Sequence, residues 1–217
     1  MFVNSTFSGN AATGSGGGIA ALNSDCQLAA PPCALRLLNV TIASNVADSN
    51  ANGTGVGGGV FVAAGALVTV QNSIIANNIN DDPDTPCGAH CIIDNFHEQD
   101  CYGPVSSLDY NVIEFPVSGE CTLSGPIANT IIGVDPQLKA LALNGGETPN
   151  HVPQRTSPVL NKGNPAGCKD SNGVNLARDQ RGMPRPKGGR CDIGAVEGSD
   201  MPRAFVPGAR RGAAAEW

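Results

Sequence analysis

The densest run of chemically capable side chains is "CGAHCIIDNFHEQDC", residues 87–101, preceded by the acidic turn "NDDPDTP" at 80–86. Cys87, His90, Cys91, His97 and Cys101 stand close together there, and all are ligand types that Zn²⁺ accepts. Their intervals match no zinc-finger spacing, so disulfides are the favoured use of the cysteines. Asp81, Asp82, Asp84, Asp94, Glu98 and Asp100 surround the two histidines. Hard carboxylate oxygens suit Ca²⁺, and histidine beside carboxylate suits general acid–base work. The candidate catalytic set is therefore His90, His97 and Glu98. The candidate Ca²⁺ ligands are Asp81, Asp82, Asp84, Asp94 and Asp100. The competing reading is a solvated turn-rich loop, because Asp and Pro favour turns for backbone reasons alone. No EF-hand spacing is present.

Other constellations are thinner. A G-x-S-x-G nucleophile elbow is absent, and the glycine clusters lack the Lys-Ser/Thr ending of a phosphate loop. His151 is the third and last histidine, which narrows any Ser-His-Asp arrangement built from distant positions. The basic stretch "RDQRGMPRPKGGR" at 178–190 has the residue type a lyase uses to take a proton beside a sugar carboxylate. Sequons begin at Asn4, Asn39 and Asn52; the first two belong to a repeated column and are expected to face turns rather than carry glycans.

What must position these groups is a repeat. "NSTFSGN" from Asn4, "NVTIASN" from Asn39 and "NSIIANN" from Asn72 recur at offsets of 35 and 33 residues. Aligned, they stack Asn4, Asn39 and Asn72 in one column and Asn10, Asn45 and Asn78 in another, with Phe7, Ile42 and Ile75 between. Apolar residues alternate before each first Asn and shift parity after it, so that Asn marks a bend between two short half-buried strands. Short strands at this period predict a β-solenoid, whose stacked turns let side-chain amides bond along the axis. Stacked carboxylates would repel, hence Asn rather than Asp. A turn of about 33 residues exceeds a minimal rung; segments 23–32 and 81–99 are the expected insertions.

The chain has 217 residues, 41% of them apolar, with 28 Gly and only 15% charged residues. Its periodic apolar content argues for order despite that composition. A net charge of -6 argues against a nucleic-acid partner, which needs clustered basic residues. No apolar run is long enough to span a bilayer. Eight cysteines suit an oxidising compartment. Because Met1 leads directly into a repeat, we read the chain as a fragment or truncated frame of an exported protein. Spacing suggests the pairs Cys26–Cys33, Cys87–Cys91, Cys101–Cys121 and Cys168–Cys191, the middle four being able to exchange partners.

The arrangement "NVTIASNVADSNANGTGVGGGVFVAAGALVTVQNSIIANN" resembles right-handed parallel β-helix proteins of bacterial surfaces and secreted polysaccharide-active enzymes. "CYGPVSSLDYNVI", "IIGVDPQLKALALNGGETPNHVPQRTSPVLNKGNPAGC" and "DQRGMPRPKGGRCDIGAVE" resemble the C-terminal part of the choice-of-anchor Q family, within the pectate-lyase-like superfamily. The resemblance spans residues 2 to about 197. It implies structural roles for His151 and for an Asp179–Arg181 ion pair. It also implies a following cell-surface anchor, of which the tail 198–217 shows neither sorting motif nor hydrophobic helix.

The expected architecture is all-β: parallel β-helix turns over 1–130, a disulfide-pinned irregular closing module over 131–197 with one short helix at 137–143, and a disordered tail from 198. The expected role is an extracellular or bacterial cell-surface module that binds a glycan or another extended or small-molecule ligand, as solenoid faces commonly do. The alternative is a secreted Ca²⁺-dependent hydrolase or lyase acting on polysaccharide, ester or lactone through the acidic insertion. An exposed first turn would leave an open sheet edge, which favours a homodimer through that end. If Ca²⁺ binds the insertion, EDTA will lower the melting temperature; an unchanged melting curve after chelation removes the metal from this reading.

Overall fold

The computed structural model describes residues 1–23, 34–81, 96–117 and 119–198. The expected Cys26–Cys33 and Cys87–Cys91 pairs, with His90, Asp82, Asp84, Asp94 and the tail from 199, lie outside them. The described chain is all-β. Its strands are β1 (Phe2–Ser8), β2 (Ile19–Ala21), β3 (Ala34–Ala43), β4 (Val46–Ala47), β5 (Val60–Val62), β6 (Leu67–Gln71), β7 (Ile74–Ala76), β8 (Ile79–Asp81), β9 (Phe96–Glu98), β10 (Cys101–Ser107), β11 (Val112–Ile113), β12 (Cys121–Ser124) and β13 (Ile131–Ile132).

Ten of these strands form one sheet by parallel pairing, and β4, β8 and β9 form a second. β1 lies on β3 with Phe2 opposite Leu37 and Phe7 opposite Ile42, and β3 lies on β6 and β7 with Leu37 opposite Val70 and Ile42 opposite Ile75. β11 continues the stack, Ile113 opposite Ile75. The sequence columns are therefore spatial columns. Leu37, Val40, Ile42, Val68, Val70, Ile75, Val105 and Ile113 fill one core together with Ile19, Val60 and Cys101. A second cluster joins Ile74, Ala76 and Val112 on the sheet's other face to Val159 and Ile193 of the closing segment.

The parity shift has a backbone cause. Asn4, Asn39, Asn72 and Tyr110, which share a column, all adopt positive φ, between 45° and 58°. Asn tolerates that left-handed conformation better than most residues, and each occurrence turns the strand so that the following residues resume pointing inward.

The second column is the ladder that stacking predicts. Asn10 Nδ2 donates to Asn45 Oδ1, Asn45 Nδ2 to Asn78 Oδ1, and Asn78 Nδ2 to Asp100 Oδ1, each at 2.8 Å. Each oxygen also accepts the backbone N–H of the residue above it, at 3.1 Å. Asp100, read from sequence as a cation ligand, is thus the fourth and last step. Its other oxygen accepts Phe115 N–H at 2.8 Å, so both oxygens are consumed inside the fold.

The first column behaves differently from a ladder. Only Asn72 Nδ2 reaches another member, Asn39 Oδ1, at 3.1 Å. Asn4 Nδ2 donates to Arg178 O and Asn39 Nδ2 to Lys169 O, while Asn72 Oδ1 accepts Asn164 N–H. This column is the seam on which the closing segment docks.

The closing segment is irregular and carries the disulfide Cys168–Cys191; Cys101–Cys121 ties β10 to β12. Both match the sequence pairing. The helix expected at 137–143 does not form. Leu138 bridges Pro153 and Ala142 bridges Asn150, antiparallel, and Lys139 N–H donates to Val152 O at 2.9 Å. Pro136 before it and Gly145-Gly146 after it favour this doubled-back loop over a helix. The expected Asp179–Arg181 ion pair is present at 2.7 Å. Deeper lies a pair not anticipated: Arg185 Nε stands 3.0 Å from Glu197 Oε1, both side chains wholly buried. Arg185 also donates to Asn4 Oδ1, Asp192 O and Gly194 O.

At the β1 end, Met1, Phe2, Leu22 and Leu67 are exposed around an apolar groove of about 500 Å³. We expect Asn45→Ala, which takes the acceptor from the amide and N–H of Asn10 and one of two donors from Asn78 Oδ1, to cost on the order of 3 kcal/mol in urea unfolding, and Asn10→Ala at the exposed end about 1 kcal/mol. Equal losses would show that the ladder is not a cooperative support.

Candidate functional site

Of the expected acid–base and metal residues, Asp81, His97, Glu98 and Asp100 are described, while His90, Asp82, Asp84 and Asp94 lie outside the described residues. β8 and β9 form an antiparallel ribbon with Asn80 opposite His97, Asp81 opposite Phe96 and Ile79 opposite Glu98. Strand alternation puts Asp81 and Glu98 on one face and His97 on the other. No group of three or more His, Cys, Asp or Glu side chains suited to a metal occurs among the described residues. With Asp100 turned into the ladder, a Ca²⁺ site in the insertion needs ligands from 82–95, outside the described residues.

Glu114 lies against this region. It follows Ile113 in the column of Ser8, Ala43 and Ala76, and it is nearly buried, with Oε2 accepting Asn77 N–H at 3.1 Å. Burial pushes its carboxyl up to about 7 against that hydrogen bond, and the charges of Asp135 and Glu98 push the same way. Burial likewise raises Asp100 to about 7, opposed by its bonds from Phe115 and Asn78.

Among the described residues, a set of polar side chains converges on the outer face of β1. Register places Thr6 opposite Thr41 and Ser8 opposite Ala43, so Thr6 and Ser8 point outward where Phe7 points into the core. The closing segment faces them across a cleft of about 730 Å³, lined by Asn4, Ser5, Thr6 and Ser8 on one wall and by Glu147, Thr148, Gln180 and Arg181 on the other. Thr6 Oγ1 donates to Gln180 Oε1 at 2.5 Å, and Gln180 Nε2 donates to Thr148 Oγ1 at 3.0 Å. Hydroxyls and amides dominate the lining.

At one end of the cleft Ser8 Oγ lies 2.7 Å from His151 Nε2, and His151 Nδ1 lies 2.7 Å from Lys139 O. A carbonyl oxygen can only accept, so Nδ1 carries a proton; in the neutral ring Nε2 is then the acceptor and Ser8 Oγ–H the donor. His151 is buried, while Ser8 is half-exposed and lines the cleft. The doubled-back loop 138–153 makes this geometry, because pairing Lys139 N–H with Val152 O brings the carbonyl of Lys139 beside the His151 ring.

Sequence reasoning set His151 aside as structural and did not single out Ser8. The available signal was faint: a hydroxyl at Ser8 in a column that runs on through Ala43 and Ala76 to Glu114.

The raised carboxyls give a signed prediction. Glu114 and Asp100 hold protons in the folded state up to about pH 7, whereas unfolded they release them near 4.5 and 3.8. Their contribution to stability is therefore complete below about pH 4 and is lost as pH rises through 7. The urea midpoint should fall between pH 5 and pH 8, and Glu114→Gln should flatten that slope; a midpoint that rises over this range in wild type contradicts the assignment. Compared with known protein families, curated proteins and solved structures, the chain finds no match in any of the three.

Proposed function

We propose that the chain is a right-handed parallel β-helix module of an extracellular or cell-surface protein, of the choice-of-anchor Q kind, that binds a hydroxylated polymer such as a glycan along the cleft beside β1. The observation that carries the binding role is that cleft: about 730 Å³, open, and lined by the outward side chains of β1 facing Thr148 and Gln180. Its alternating hydroxyl and amide groups both donate and accept, as sugar hydroxyls require. The uniformly parallel stacking of repeated columns supports the β-helix reading. The two disulfides among the described residues fit an oxidising environment, and no helix among the described residues is long and apolar enough to cross a membrane.

The module acts by presenting a rigid polar wall. Thr6 and Gln180 hold one another in place through their hydrogen bond, so a ligand meets side chains that are already ordered, which lowers the entropic cost of binding. A panel of uronate and neutral oligosaccharides, measured by calorimetry, tests the reading. At least one should bind, and Gln180→Ala should weaken it about tenfold, the loss of one or two hydrogen bonds. Binding unaffected by Gln180→Ala would move the ligand away from this cleft.

A further inference from the structure

We infer that Ser8 and His151 form a hydrolytic pair that cleaves short acyl esters at the end of the cleft. Three observations carry this. The Ser8 hydroxyl is in direct hydrogen-bond contact with His151 Nε2, at 2.7 Å. The ring is held in the tautomer that makes Nε2 a base, because Nδ1 is committed to Lys139 O. Ser8 lines an open polar cleft while the imidazole behind it is buried, so a substrate reaches the nucleophile and bulk water does not flank the base. A nucleophile, a base and an orienting group in series define this chemistry irrespective of chain order or fold.

A smaller pocket of about 110 Å³, lined by Ser44, Asn77, Lys139 and His151, also borders the ring. Hydrogen bonds at both ring nitrogens fix its orientation.

The reaction balances with water as the only co-reactant. Ser8 Oγ attacks the acyl carbon and its proton passes to His151 Nε2. The bond from the acyl carbon to the alcohol oxygen breaks, and the leaving alkoxide takes the proton from His151. Water then attacks the acyl-Ser8 ester, giving one proton to His151. The bond to Ser8 Oγ breaks, Ser8 recovers that proton, and the carboxylic acid leaves. The orienting group is a neutral carbonyl rather than a carboxylate, so it stabilises the transient imidazolium less. That limits the pair to esters, whose alcohol departs more readily than an amine. The polar lining beside Ser8, with Thr6 and Gln180, suits the hydroxylated alcohol half of such an ester.

The inference goes beyond glycan binding and fails separately from it, because a small ester probe carries no sugar. Two measurements on the full chain decide it. A fluorophosphonate reagent should attach to Ser8, forming an Oγ–P bond with loss of fluoride, and mass spectrometry should place the adduct on the peptide that contains Ser8. Turnover of p-nitrophenyl acetate should fall about 100-fold or more in Ser8→Ala, and His151→Gln should slow labelling similarly. A purely structural Ser8–His151 tie would change the melting temperature in these variants yet leave Ser8 unlabelled in wild type. Folded wild-type protein that takes no adduct at Ser8, or Ser8→Ala that retains full turnover, overturns the inference, whether or not His151→Gln folds.

Discussion

The buried ladder from Asn10 through Asn45 and Asn78 to Asp100 is the interaction on which the rest of the chain's arrangement depends. Asn45 and Asn78 each accept two N–H bonds through one oxygen and pass an amide N–H onward, and Asp100 accepts the last two. The direction of donation is fixed along the stack, so its last member must accept, and the Asp100 carboxyl accepts through both oxygens where an amide would face Phe115 N–H with a second donor. The ladder also crowds one glycine of each run. A Cβ on Gly59 would lie 2.7 Å from Asn78 Nδ2 and 2.5 Å from Asp100 O, and one on Gly18 would lie 3.0 Å from Asn45 Nδ2 and 2.7 Å from Gly59 O. Ladder amides and the backbone of the next turn share the space that these glycines leave vacant.

The other Asn column turns the same residue type to a different use. Its left-handed bends expose amides to the closing segment, which answers with backbone carbonyls and N–H groups, joined by the Arg185 guanidinium at Asn4 and the Cys168 sulfur at Asn72. An irregular segment can dock on a regular sheet in this way without strand pairing. Gly194 allows the closest approach, since a Cβ there would stand 2.7 Å from Ile74 Cδ1. The buried Arg185–Glu197 pair braces the same segment, and Arg185 extends the brace to Asn4. The cleft beside β1 is the gap left where this docking is incomplete, and its rigidity follows from the brace beneath it.

Much of this was legible in the residues. Columns read by eye became strand register because identical offsets of apolar residues and Asn fix both the inward face and the bend. The ladder's fourth step escaped, since Asp100 follows Asn78 by 22 residues rather than by the repeat interval, and it belongs to the segment whose acidity suggested a cation. The helix expected over 137–143 rested on local propensity, which the pairing of Leu138 with Pro153 overrode. Ser8 and His151, 143 residues apart, share no local pattern at all; only the docked closing segment brings them together.

That docking also orders events in time. Asn4 is held by Arg178 and Arg185, at sequence separations of 174 and 181, and Thr6 by Gln180. Strand β1 therefore cannot complete its contacts until residues 178–185 are made. Local stacking of the middle repeats can proceed without that wait, whereas the contacts joining the two ends carry a large loop-closure cost. A nascent chain would thus carry stacked middle turns beside an unfinished β1 until residues 178–185 emerge, and the cleft would take shape after the stack it borders.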